Sequence, residues 1–445
     1  MAKVITTELQ HSGASAANIT LDSSKNVTCE NNLQVDGNVT VTGTLPADKL
    51  TGTAAAINGS NITNLPAANL TGTLPAISGA SLTNLPSSPP AFRNMVHNGK
   101  MSVAQRATSV TGKSTNGYYV CDRYRNVFES VGTYTVSQVE DAPEDFVYSM
   151  KIDCTTASGT LAGSSRHYIE YRNESRDQQH LLFGTSNAKT TTLSFWVKCT
   201  KTGTFNVNLL NEGARTGSVS GTEVADRTIG KLVTISAANT WEKKTLTYVG
   251  DTAAFIRNNQ HKGIGIRFIL NAGSSYSGGT IQSTWAAGNN ASYYTGNLAF
   301  GVSTDDDFYI TGIQWEIGDS ATDFEYRSFG DELKRCQRYY EKSYKYEHAP
   351  GTATDDGRRL RRVCASATNQ TVFIEETYKV TKRATPSLTT YSSDGTSGEM
   401  FLCNYGSTSL HVSASVYGNC DVGFEVSGSG TANGAAVFWR ADSEF

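Results

Sequence analysis

Between Thr51 and Phe92 this 445-residue chain contains no Asp, Glu, Lys, Arg or His. Charge is thin elsewhere too, at 18% of all residues, with 38 basic against 41 acidic side chains and a formal net charge of -3. A dedicated nucleic-acid binder carries a strong basic excess, so this balance excludes one. No apolar run approaches the ~18–20 residues of a membrane-spanning helix, and none near the start has the length of a secretory h-region. Neither membrane insertion nor Sec export is expected. The eight cysteines are scattered, without a CxxC pair. That spacing gives neither a zinc site nor a disulfide framework, and free, largely buried thiols in a reducing compartment are expected. Signatures of chemistry are missing as well. There is no GxSxG elbow and no HExxH helix, and the glycine-rich stretch 428–434 lacks the Lys-Ser/Thr of a phosphate loop. The seven histidines are dispersed, so no catalytic residue, metal ligand or cofactor is assigned.

What is present favours strands: Gly, Thr, Ser, Asn and Tyr with few charges. Six of the nine prolines fall between positions 46 and 90. There LTGTAAAINGSNITNLP (50–66) aligns with LTGTLPAISGASLTNLP (70–86) at 11 of 17 positions. Units this short cannot bury their apolar faces alone. Two readings stay open. A lone chain here is a flexible linker. In three parallel copies, Leu50, Ile57, Ile62 and Leu65 pool along an axis with their repeat partners Leu70, Ile77, Leu82 and Leu85, and the uncharged exterior carries no repulsion.

Upstream, ITLDSSKNVTC and LQVDGNVTVTG alternate as short strands, the second around an Asp36-Gly37 hairpin turn. From residue 92 onward strand-like runs recur at 117–125, 133–139, 191–198, 244–249, 264–270 and 308–316, separated by Gly, Asn and Ser clusters. They read as a jelly-roll-like β-sandwich. One helix is expected after Ser328, an N-cap, with Phe329, Leu333, Cys336 and Tyr340 along its buried face. Strands return at 370–378, 410–415 and 435–439. The fold class is therefore mainly β. Its plan is an N-terminal β segment (1–49), a repeat shaft (50–90), a sandwich (91–327), a connecting helix (328–344) and a C-terminal β tip (345–445).

Three runs stand out by their fixed order: NMVHNGKMSVAQR (94–106), NGYYVCDRY (116–124) and ITGIQWEIGDSATDFEYRSFGDELKRCQRYY (310–340). In this order, with the LTGTLP-type repeat before them, the chain resembles a family of bacteriophage tail-fibre and tail-collar-like proteins. Tyr124 stands where that pattern has Trp, and His97 where it has an Ile-like residue. The resemblance implies a homotrimeric virion protein, assembled in the bacterial cytoplasm. Its N-terminal part would be held by other tail proteins, and its far end would adsorb to host surface glycan or lipopolysaccharide. Within the motifs, Arg106, Asp122 and Arg123 are expected to satisfy one another as a buried polar network. Gln314, Trp315 and Glu316 should close the sandwich as its last strand.

Sugar recognition needs aromatic faces for stacking and Asp, Asn or Arg groups for hydroxyls. The tip offers Tyr391, Asp394, Tyr405, His411, Tyr417 and Trp439. Its one basic run, 358–362, puts Arg359 and Arg361 on one strand face and Arg358, Leu360 and Arg362 on the other. These eight residues, with Arg359 and Arg361 as anion contacts, are the receptor-binding candidates. Glycoside hydrolysis needs paired carboxylates across a cleft. The Asp305-Asp306-Asp307 run reads instead as a solvated loop, and the acidic group around Pro143 as an exposed turn. Binding without catalysis is the expected function. A polysaccharide depolymerase and a purely structural tail connector are the alternatives.

Overall fold

The computed structural model describes residues 8–9, 19–21, 27–29, 93–293, 296, 298–403 and 410–445, with backbone alone up to residue 29 and at 292–293 and 363–370. The repeat shaft, the Asp36-Gly37 hairpin and the candidate Tyr405 lie outside the described residues. The chain divides into two units, Met1–Thr83 and Asn84–Phe445. In the first, Ile19–Leu21 pairs antiparallel with both Glu8–Leu9 and Val27–Cys29, as the ITLDSSKNVTC alternation implies.

In the second unit, period-two patterning builds two antiparallel sheets over a shared core. The six-stranded sheet runs in the order Glu242–Tyr248, Thr191–Cys199, Asp307–Ile317, Ser149–Thr156, Thr133–Val139, Ser109–Lys113. The seven-stranded sheet runs Ala286–Ala287, Arg227–Ile235, Gly203–Asn211, Lys262–Ala272, Arg166–Glu174, Tyr124–Glu129, Gly117–Tyr118. Thr191–Cys199 shows the logic. Leu193, Phe195 and Val197 turn inward and are fully buried, leaving Ser194, Trp196 and Lys198 on the outer face. The Phe195 ring meets Phe268 of the opposite sheet edge-on at 5.1 Å between centroids. The expected 117–125 strand is broken in two, because the chain turns through Arg123 at φ 78°. Trp315 is fully buried, but its strand is central, flanked by Thr191–Cys199 and Ser149–Thr156.

The helix spans Phe329–Gln337, and the Ser328 hydroxyl accepts from the Asp331 amide at 3.1 Å as the N-cap reading requires. Its buried stripe is Glu332, Cys336 and Gln337, whereas Phe329 is 44% exposed. Tyr340 already belongs to a strand, Tyr340–Lys342, so the C-terminal sheet starts inside the stretch expected to be a connector. Glu332 explains the stripe. Its carboxylate accepts from the Asn98 amide at 2.6 Å, and this hydrogen bond repays its burial.

The long Gly423–Asp442 strand organises the C-terminal sheet. It pairs with Arg359–Thr377, Glu399–Cys403, Ser415–Tyr417, Ser387–Tyr391 and Tyr340–Lys342 along its length. The glycine-rich run lets this sheet close on its own core. A Cβ on Gly428 would lie 2.6 Å from Met400 Sδ, and one on Gly430 2.6 Å from Leu402 Cδ1.

The three motif runs converge where sandwich and C-terminal sheet meet. Arg106 reaches Asp122 at 3.5 Å, but also Asp442 at 3.1 Å and Glu444 at 3.7 Å. Arg123, fully buried, pairs with Glu444 and lies 3.3 Å from the centre of the Tyr339 ring. The expected self-satisfied network is thus corrected. One carboxylate cannot answer two buried guanidinium groups, and the others arrive from residues 442–444. Gln105 donates to the Tyr340 carbonyl at 2.8 Å, and Arg338 and Tyr339 both reach Glu174. The Asp305–Asp307 reading is also corrected. Asp306 is buried, accepting from the Gly301 amide at 2.8 Å and pairing with Lys201 at 2.8 Å, so only Asp305 of the three is exposed.

Candidate functional site

The outward face of the six-stranded sheet carries an unusual side-chain set. Lys198 and Tyr309 are direct cross-strand partners, so both project from the same side. The Lys198 ammonium sits 4.3 Å from the Tyr309 ring centre and 5.4 Å from that of Trp241. Trp241 and Tyr309 meet edge to face at 6.2 Å. Asp141 accepts from the Trp241 indole at 3.1 Å and from Lys198. Its slight burial pushes that carboxyl up, but Lys198 and the indole outweigh it and hold it below the usual range. Both rings and the ammonium remain partly exposed. The result is a strip of two aromatic faces beside a fixed cation and a fixed anion.

Two residues along the Thr191–Cys199 strand, Trp196 opens a second feature, a cavity of about 250 Å³ shared with Phe146, Phe324 and Tyr326. The motif supplies its frame. Gln314 and Glu316 point outward from the central strand yet are buried, because they clamp the loop that follows. Glu316 accepts from the Thr322 amide at 2.9 Å and hydroxyl at 2.6 Å, and Gln314 Oε1 accepts from the Glu325 amide at 2.8 Å. These bonds hold Phe324 and Tyr326 beside Trp196. Gly312 completes the fit. It sits at φ 63° where the pairing with Thr191–Cys199 shifts register, and a Cβ there would come within 2.7 Å of Phe146 and 2.9 Å of Trp196.

The C-terminal sheet presents a different outward face. Leu360 and Phe401 both pair with Ala436, and His411 pairs with Phe401, so all four share one side. Glu399 lies two residues from Phe401 and joins them, whereas Met400 and Leu402 turn into the core. Arg362 and Cys403 both pair with Gly434, which puts them on this face as well. His411 Nδ1 stands 3.0 Å from Asp394 and 3.9 Å from Glu399. Asp394 accepts from the Ser392 hydroxyl and from the Thr396 amide at 2.9 Å. These bonds, the Ser392 one foremost, hold its carboxyl well below the usual range. The Asp394, Glu399 and His411 ligand atoms lie within 4.8 Å of one another, a donor set of two carboxylates and an imidazole that could hold a divalent ion.

Among the described candidates, the structure brings Asp394 and His411 together. Trp439 is fully buried between Tyr378 and Phe424, and Tyr391 is 7% exposed against Tyr344. Trp439 faces the sheet's core, whereas Tyr391, in register with Phe438 and so on the opposite face, is covered by Tyr344; both are buried and are corrected accordingly. Arg359 pairs with Glu376 at 3.2 Å, and Arg361 donates to the Phe373 carbonyl at 2.8 Å, opposite Leu360 and Arg362 as the alternation implies. Tyr417 is half exposed beside Phe373. The sandwich residues Phe146, Trp196, Trp241, Tyr309, Phe324 and Tyr326 are absent from the sequence-based set. The available signal was a Trp and a Lys at alternate positions of a strand whose inward residues, Leu193, Phe195 and Val197, are apolar.

No protein-family model matches the chain, and no curated sequence relative matches it. Among solved structures, the enzymatically active domain of tailspike protein 4 from bacteriophage CBA120 overlaps 51% of this chain and 22% of its own, at 12% identity and a TM-score of 0.24. A family 11 carbohydrate-binding module from Clostridium thermocellum, in complex with a mixed-linked tetrasaccharide, covers 48% of this chain and 99% of its own at 9% identity and a TM-score of 0.22. A family 30 carbohydrate-binding module covers 52% and 92%, at 9% identity and a TM-score of 0.24.

Proposed function

We propose that the chain is a receptor-binding protein of a phage tail fibre, a homotrimer that adsorbs to host surface glycan and leaves that glycan intact. The observation that carries the glycan part is the Lys198–Trp241–Tyr309–Asp141 strip. Pyranose rings offer an apolar C–H face and a rim of hydroxyls. Partly exposed Trp and Tyr faces suit the first, and a fixed ammonium and carboxylate suit the second. Each ring contact is weak, so useful adhesion relies on several copies acting at once, which a trimeric fibre provides. The fibre and virion parts of the proposal are supported by the ordered motifs and the LTGTLP-type repeat. The C-terminal face with Asp394, Glu399 and His411 is a further contact surface on this reading.

The test is competition. Excess purified full-length chain is expected to block phage adsorption to host cells and to be retained by host lipopolysaccharide or capsule without releasing reducing ends. Failure to compete would favour a structural connector, and new reducing ends a depolymerase. Sedimentation is expected to give three times the 47.8 kDa chain mass, and a monomer overturns the fibre reading.

A further inference from the structure

The Trp196 cavity differs from the strip beside it. It is enclosed by rings, small, and stiff. At about 250 Å³ it lies just below the ~300–1,000 Å³ of pockets that take drug-sized molecules, so it has room for one sugar ring and not for a run of several. Phe324 meets both Phe146 and Tyr326 edge-on at 5.0 Å, and Phe146 and Tyr326 lie tilted to each other at 5.9 Å. Tyr326 donates to the Asp145 carbonyl at 2.7 Å. With the loop clamped by Gln314 and Glu316, little ordering remains to be done when a ligand enters, and preorganisation of this kind raises affinity. The charged lining is two carboxylates, Asp145 and Asp323, against one ammonium, Lys243. That balance accepts hydroxyls and repels a carboxylated sugar.

We infer that this cavity binds a single neutral pyranose, a terminal or branch unit of the surface glycan, with its ring against Trp196 and its hydroxyls toward Asp145, Asp323 and Lys243. The inference rests on the glycan-adsorption reading and assigns the sugar-reading role to a site apart from the strip. The experiment is saturation-transfer NMR on the full-length chain with the methyl glycosides of glucose, galactose, mannose, N-acetylglucosamine and glucuronic acid. At least one neutral glycoside is expected to bind, and the glucuronide is not. Trp196→Ala and, at the exposed edge of the cavity, Tyr326→Ala are each expected to weaken that binding at least tenfold with an unchanged melting temperature. Trp241→Ala is expected to leave it unchanged. Binding of the glucuronide alone, or neutral binding indifferent to both cavity variants, overturns the assignment. Retention on host polysaccharide with every monosaccharide idle also overturns it while leaving adsorption standing. A wild-type chain that binds no glycan of any kind removes both.

Discussion

The two outer faces of the sandwich use charge in opposite ways. On the seven-stranded face Glu170 stands directly between Arg125 and Arg267 in register. It accepts from Arg267 at 2.7 Å, Arg172 at 2.8 Å and Arg125 at 3.4 Å. Glu212 adds contacts to Arg172 at 3.4 Å and Arg267 at 3.7 Å. Burial alone would push the Glu170 carboxyl up, but Arg267 and Arg172 outweigh it and bring it down to about 2. On the six-stranded face the Lys198 ammonium lies over two aromatic rings that solvent still reaches. The first face spends its charges on the protein itself. The second keeps rings and polar groups available to something else.

On this contrast the largest stability effect belongs to the first face. Glu170→Ala leaves three guanidinium groups without their shared carboxylate and is expected to cost about 3–5 kcal/mol in denaturant unfolding, with glycan retention unchanged where the variant is folded. The sign with pH follows from the depressed carboxyl. Its contribution is complete above the ordinary carboxylate pKa near 4.3, and it is lost as pH falls from there through about 2. The acid limb of the stability profile should therefore flatten in the variant.

An intermediate effect lies between the faces. Burial pushes the His167 imidazole down to about 3, in a nest of Phe128, Tyr134 and Phe300 rings 4.6 to 5.2 Å away. The unfolded chain takes up this proton near pH 6.5 and the folded chain does not, so stability falls as pH drops from 6.5 toward 3. At pH 5 the loss from this group is about 2 kcal/mol. His167→Phe is expected to remove that loss, read as a smaller difference between pH 7 and pH 5 melting curves. A pH dependence unchanged by the substitution would refute a neutral imidazole there. The smallest stability effect belongs to the second face. Trp241→Ala is expected to cost no more than about 1 kcal/mol while lowering retention on host glycan several-fold. A large stability loss with unchanged retention would erase the distinction between the faces.

Where side chains alternate cleanly, strands are legible from sequence. The run at 133–139 and the strand Thr133–Val139 coincide. Arg166–Glu174 escaped notice because its inward residues include His167 and Asn173, which look polar in a window although both are buried. The N-cap at Ser328 was readable from a local rule, but the helix's buried face was not, since Glu332 is interior only through a partner 234 positions away. The site was the least legible part. Trp439 and Trp196 are equally aromatic in composition, and only sheet register sends one into the core and the other outward. The cavity draws its rings from positions 146, 196, 324 and 326, which no short pattern links.

The pairing of Arg106 with Asp442 spans 336 positions, and that of Arg123 with Glu444 spans 321. During synthesis both cations wait, dehydrated or exposed, until nearly all of the described chain has emerged. Contacts so distant form slowly, so this joint closes late in folding. Without residues 442–444, Arg123 would lose its carboxylate partner and Arg106 would keep only Asp122.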